Sequence, residues 1–167
     1  MSKRRDRLEW PTHMLSGVVA GYLVTGGDPK GALVGGVAGV ISDLDEPKSK
    51  FGKILLPISL PLNQIFGHRT FTHSLLFAGL LGAVFYFLTN KTLALAVVAG
   101  VLAHIVGDML TGKVKLFYPL KTSVGIGIPH SLFTLMDRVA RVLLVVLIMK
   151  IVYDDYVSEH LHALGVF

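Results

Sequence analysis

The stretch Gly67-His68-Arg69-Thr70-Phe71-Thr72-His73-Ser74 holds two imidazoles, one guanidinium and three hydroxyls, and a long apolar run follows at once. Neutral imidazoles bind divalent metals, and nearby hydroxyls or carboxylates hold the second ring nitrogen and fix the tautomer. Further donors stand at His13, Asp43, Asp45, His104 and Asp108. These fragments suit one metal-dependent hydrolytic site assembled around His68 and His73. The plainer account makes His68 and Arg69 interfacial polar residues at the end of a membrane helix. The block by itself admits both.

Spacing strengthens the metal account. His104 and Asp108 are four apart, so on a helix they share a face and can bind one ion or bracket two. Asp43 and Asp45 diverge on a helix but share a side on extended chain. Either both ligate, or one does and the other supports it. A faint echo links the two halves: Thr12-His13 and Thr72-His73 each open a hairpin, and Val37-Ala-Gly-Val40 precedes Asp43 as Val98-Ala-Gly-Val101 precedes His104. The chain has no cysteine. Disulfides, thiolate sites and cysteine nucleophiles are therefore excluded, and a His/Asp donor set favours zinc, one or two ions, over manganese or iron. The ligand pool is His13, Asp43, His68, His73, His104 and Asp108. Asp45 is the candidate general base or supporting partner. Arg69 is the candidate anion clamp, because a guanidinium meets phosphate with two donors. Ser74 lacks the partners of a serine nucleophile and reads as a helix cap.

The elements that must position these groups are apolar. The 167 residues are 52% hydrophobic and 16% charged, with net charge +5 and mean hydropathy +0.63. Soluble domains carry about 25% charged residues, so the balance points to a membrane. The charges cluster between apolar runs, which suits a bilayer surface better than a nucleic-acid groove. No nucleic acid is expected as a stable partner. The pattern predicts an all-α, integral membrane bundle of about five helices: two antiparallel hairpins and a C-terminal helix. The helices fall at 12–24, 30–42, 72–88, 92–109 and 132–153, with a basic arm at 1–10 and a tail at 154–167, all in one membrane-embedded domain. Gly17 and Gly21, facing Gly31, Gly35 and Gly39, form small-residue ladders that let two helices approach closely. Residues 46–67 read as a loop whose patch 54–62 is apolar but broken by prolines. That patch suits an interfacial or short re-entrant segment. Asp137 and Arg141, one turn apart, read as a surface pair.

Orientation follows from basic residues. The arm, the 43–72 loop and the 111–141 stretch hold 13 of the 16 Lys and Arg. Such loops stay cytoplasmic, and five alternating helices would put all three on that side with the N-terminus. Every candidate ligand falls at the same end.

Taken together, Thr12-His13, Asp43-x-Asp45, His68-Arg69-x-x-Thr72-His73-Ser74, His104-x-x-x-Asp108-x-Leu110-Thr111 and Val114-x-Leu116-Phe117-x-Pro119 resemble the YdjM-like family over about residues 10–120. That family is described as inner-membrane-associated metal-dependent hydrolases, some controlled by the SOS repressor. The stretch Thr111-Gly112-Lys113-Val114 is shorter than the family's usual loop. The ligand order also resembles, more distantly, zinc-dependent phospholipase C and P1-type nucleases, without their later His-rich pair. The expectation is a multi-pass inner-membrane hydrolase acting on a phosphoester or lipid at the cytoplasmic face. The competing class is a non-catalytic, metal-stabilised membrane scaffold or regulator.

Overall fold

A computed structural model describes residues 10–157; the basic arm up to residue 9 and the tail from 158, with His160 and His162, lie outside them. The described chain is helical: α1 Trp10–Val24, α2 Pro29–Ile41, α3 Lys50–Ile54, α4 Leu56–Phe66, α5 Leu75–Leu88, α6 Lys91–Thr111 and α7 His130–Val152. Short 3-10 turns at Ser42–Asp45 and Phe71–His73 follow α2 and precede α5. The hairpins α1/α2 and α5/α6 and the C-terminal helix match the expected order. The supposed loop 46–67 does not: α3 and α4 fill most of it. Pro57 sits in the first turn of α4, where its missing N–H costs nothing, so the prolines that suggested a broken segment are partly compatible with helix.

Caps set the boundaries. Asp28 accepts from the Lys30 amide at the start of α2. Ser74 accepts from the Phe77 amide and Asn90 from the Leu93 amide, opening α5 and α6. Ser74 is thus the cap its position suggests.

The bundle is centred on α6, which packs against α1, α2 and α5. Its buried side, Val97, Val101 and Ile105, forms the core with Ala38, Ala78 and Val114. The glycine ladders act as expected. A Cβ on Gly17 would lie 2.4 Å from the Gly35 carbonyl oxygen, and one on Gly100 would lie 2.2 Å from the same atom. Only bare backbone allows three helices to meet there. The segment 112–128 straps the end of α6. Val114 and Val124 exchange backbone hydrogen bonds, and Ile126 and Ile128 donate to Met109 and Leu110.

Among the described residues, α6 is the one helix long and apolar enough to cross a membrane, and half of its apolar window is buried. α1 and α2, with 15 and 13 residues, reach only about 22 and 20 Å at 1.5 Å per residue. α7 has 23 residues but carries Asp137, Arg138, Arg141 and Lys150. Five full spans therefore do not follow from helix length and composition. The Asp137–Arg141 pair is also not a surface pair. Asp137 is buried, accepts from the Thr12 hydroxyl at 2.7 Å, and ties α7 to α1 beside His13.

Candidate metal centre

Four chain segments end at one place. The first turn of α1 brings His13, the 3-10 turn after α2 brings Asp43 and Asp45, the turn before α5 brings His73, and the last third of α6 brings His104 and Asp108. All six residues are buried. Two sets, His13 with His104 and Asp108, and Asp43 with His73 and His104, each place one donor atom per residue within 4.8 Å of the others.

The hydrogen bonds assign the ring tautomers. His104 Nδ1 lies 2.7 Å from the Gly39 carbonyl. A carbonyl only accepts, so Nδ1 carries the proton and Nε2 keeps its lone pair. The Thr72 hydroxyl donates to Asp45 Oδ2 at 2.6 Å, which leaves its oxygen to accept from His73 Nδ1 at 3.0 Å. His73 Nε2 therefore also points inward, 3.1 Å from His104 Nε2 and 3.0 Å from Asp108 Oδ2. Two lone pairs cannot face each other at that distance without a cation or a proton between them. His13 stacks on His104 with centroids 3.9 Å apart. Its Nε2 is 3.5 Å from Asp108 Oδ1, and its buried Nδ1 has no hydrogen-bond partner. Asp43 Oδ1 is 4.0 Å from His104 Nε2.

His68 lies outside both sets. Its Nδ1 is 2.8 Å from Asp45 Oδ1 and its ring is partly exposed, at the outer side of the cluster. Asp45 also accepts from the Arg69 amide at 3.0 Å and lies 3.5 Å from His73 Nδ1. Burial opposes its charge, but the hydrogen bond from His68 and the neighbouring His73 ring outweigh burial and hold the carboxyl well below the usual carboxylate range. With both oxygens engaged, Asp45 orients the two histidines. Burial likewise opposes charging His73, yet Asp108 and Asp45 on either side raise its pKa to about 10. In the metal-free chain, then, a proton on His73 resolves the clash of lone pairs.

Arg69, the candidate anion clamp, sits in a turn against Asp108. Its backbone is left-handed, φ 60°, a conformation costing a non-glycine residue about 1–2 kcal/mol. The turn is held by the Asp45 contact and by Lys115, whose amide donates to the Arg69 carbonyl at 3.0 Å. The guanidinium reaches Asp108: Nη2 bonds Oδ1 at 3.2 Å and the Thr111 hydroxyl at 2.9 Å. Nε sits 3.0 Å from Oδ2, off the line of a hydrogen bond. Thr72 and Gly39 were not among the candidates. Thr72 lay within the block and Gly39 within a ladder read only as packing. Their roles need the fold.

An all-helical, apolar protein with a buried His/Asp cluster whose donor atoms could hold a divalent metal is the class that fold and site define. The family model for YdjM inner membrane protein matches residues 8–162, and the chain belongs to that family of inner-membrane proteins. Inner membrane protein YdjM of Escherichia coli (strain K12) is 42% identical over 90 residues, 49% of this chain and 45% of that one. The Shigella flexneri protein of the same name matches equally. The chain thus spans about half the length of these relatives. The uncharacterized protein YvsG of Bacillus subtilis is 32% identical over 118 residues, 65% of this chain and 71% of the other. No solved structure matches. The more distant likeness to phospholipase C and P1-type nucleases finds no support in these relatives.

Proposed function

We propose that the chain is a multi-pass inner-membrane, metal-dependent hydrolase that takes a phosphoester or lipid substrate at the cytoplasmic face. The observation that carries the metal is the approach of His73 Nε2 and His104 Nε2 to 3.1 Å, with the other nitrogen of each ring spent on a fixed acceptor. His13, Asp43, His73, His104 and Asp108 would hold the ion. Both donor sets draw on His104, whose Nδ1 is committed to Gly39. A single lone pair serves one ion, so one zinc is favoured over two. A bound zinc supplies Lewis acidity and lowers the pKa of a coordinated water.

The chain's own residues do the rest. Asp45 and Thr72 orient His73, and Gly39 orients His104. Asp45 also fixes His68 at the partly exposed side. Arg69 neutralises Asp108, and in the reading favoured here it turns part of its fork to a substrate phosphoryl group. The rival reading, a metal-stabilised scaffold, draws support from the burial of all five ligand candidates, since structural zinc sites are closed.

Metal analysis of the purified protein, joined to a hydrolysis screen of phospholipids and phosphodiesters, tests the proposal. Stoichiometric zinc with turnover abolished by chelation is expected. Zinc without turnover, with unfolding on chelation, would establish the scaffold, and a folded protein that takes up no metal would end both readings.

A further inference from the structure

α4 turns an apolar face outward. Its inward face mixes half-buried Leu62 and Phe66, the latter stacked on Phe71, with polar groups: Ser59 is fully buried, and Asn63 donates to the Asp45 carbonyl at 2.7 Å. Its outward face carries Ile58, Pro61 and Ile65, at helical spacing. Ile58 is 51% exposed and Ile65 72%, and Ile54, one turn earlier, is 69% exposed. A helix facing water buries its apolar side, and this one presents it. Just upstream, Lys48, Lys50 and Lys53 are exposed, and the Lys50 ammonium lies 4.2 Å from the centre of the Trp10 ring. Lysines beside an apolar face, with a tryptophan at the same level, are the composition of a segment lying at a membrane surface. The 11 residues of α4 measure about 16 Å, too short to cross ~30 Å of hydrocarbon.

We propose that α4 lies in the plane of the membrane, its outward face in the acyl boundary and Lys48, Lys50 and Lys53 among anionic phospholipid headgroups. The assignment needs no metal. Through Asn63 and Asp45, it sets the partly exposed His68 side of the cluster at headgroup depth.

Single cysteines at Ile58, Ile65 and Lys53 report this directly, because the chain has no native cysteine. Spin labels at these positions are read in full-length protein in nanodiscs, with phosphatidylglycerol or with phosphatidylcholine alone. Collisions with oxygen should exceed those with a water-soluble nickel complex at 58 and 65, and the order should reverse at 53. Lys48→Gln with Lys53→Gln should move the label at 58 toward water and remove the difference between the two lipids. Nickel-dominated collisions at both 58 and 65 would place α4 in water and overturn the proposal. Dipolar broadening at 58 that disappears on dilution with unlabelled protein would assign the face to a second copy of the chain. Labels at the depth of the bilayer centre would make α4 re-entrant and equally overturn it.

Discussion

His73 carries opposite demands on its two nitrogens. Nδ1 is fixed toward Thr72 and Asp45, and Nε2 faces His104 and Asp108. Its folded pKa, about 10, lies above the ordinary 6.5. The metal-free protein therefore gains stability from this ring in full below about pH 6.5, and loses it as pH rises through about 10. In the proposed site a bound zinc would displace that proton, so calorimetry in buffers of different ionisation enthalpy should detect proton release on binding near neutral pH. No release would remove His73 from the ligands. His73→Ala and His104→Ala should each lower bound zinc, and unchanged metal content in both would remove the pair. Arg69 makes a different prediction. It compensates Asp108 when no ion is present, so Arg69→Ala should destabilise the metal-free protein by up to about 3–5 kcal/mol, the scale of breaking a buried pair. The metal-loaded protein should lose much less, which paired thermal melts would show. If Arg69 also clamps a phosphoryl group, turnover should fall by roughly a hundredfold with zinc still bound. Arg69→Lys, which keeps the charge without the fork, should recover only part of it.

At the scale of elements, the site depends on how closely α1, α2 and α6 approach. Gly35 is the shared contact: a Cβ there would meet the Gly17 carbonyl at 2.4 Å and the Gly21 Cα at 2.8 Å. Gly35→Ala should cost about 1–3 kcal/mol by overpacking and also lower zinc content, because His13 and Gly39 sit on the helices it separates. Gly79→Ala is the control. Nothing lies within 4 Å of a Cβ there, and alanine gains up to about 1 kcal/mol of helix propensity. Equal zinc loss in the two variants would dissociate the site from the crossing. α7 depends on Asp137, which is buried and bonded to Thr12 and, at 2.5 Å, to Arg141. Asp137→Ala should loosen α7 from α1, seen as faster amide exchange in both helices.

Across the whole molecule, the candidate ligands gather at one end of α6, and Lys91 begins its other end. Exposed Lys53 lies on α3, which packs against the turn carrying Asp43 and Asp45. If α6 spans with the basic stretches cytoplasmic, Lys53→Cys should label only from the cytoplasm and Lys91→Cys only from the opposite side. Labelling of both from one side would show that α6 does not cross, whatever its length and hydropathy. The exposed apolar surface of α5 and α7, including Phe87, Leu88, Val142 and Leu143, is what an inner-membrane family requires. A water-facing surface would not carry so wide an apolar area.

The sequence by itself determined what depends on local chemistry and period. Apolar runs placed the hairpin helices to within a few residues, and Ser74 read as the cap it is. Small residues at four-residue spacing predicted the α1/α2 crossing. The absence of cysteine confined any metal to imidazole and carboxylate. Motif residues alone were enough for the family. What needed tertiary structure was every choice between chemically equal candidates. His68 and His73 sit five apart in one block, yet one ring turns outward onto Asp45 and the other inward onto His104. Between them the chain passes through a left-handed turn at Arg69, which spacing does not encode. Asp137 and Arg141 look alike whether exposed or buried until α1 supplies Thr12. The helices of 46–67 were hidden because α4 departs from the usual pattern: Ser59 and Asn63 face the protein while Ile58 and Ile65 face outward, so helical period was present while the expected side was not.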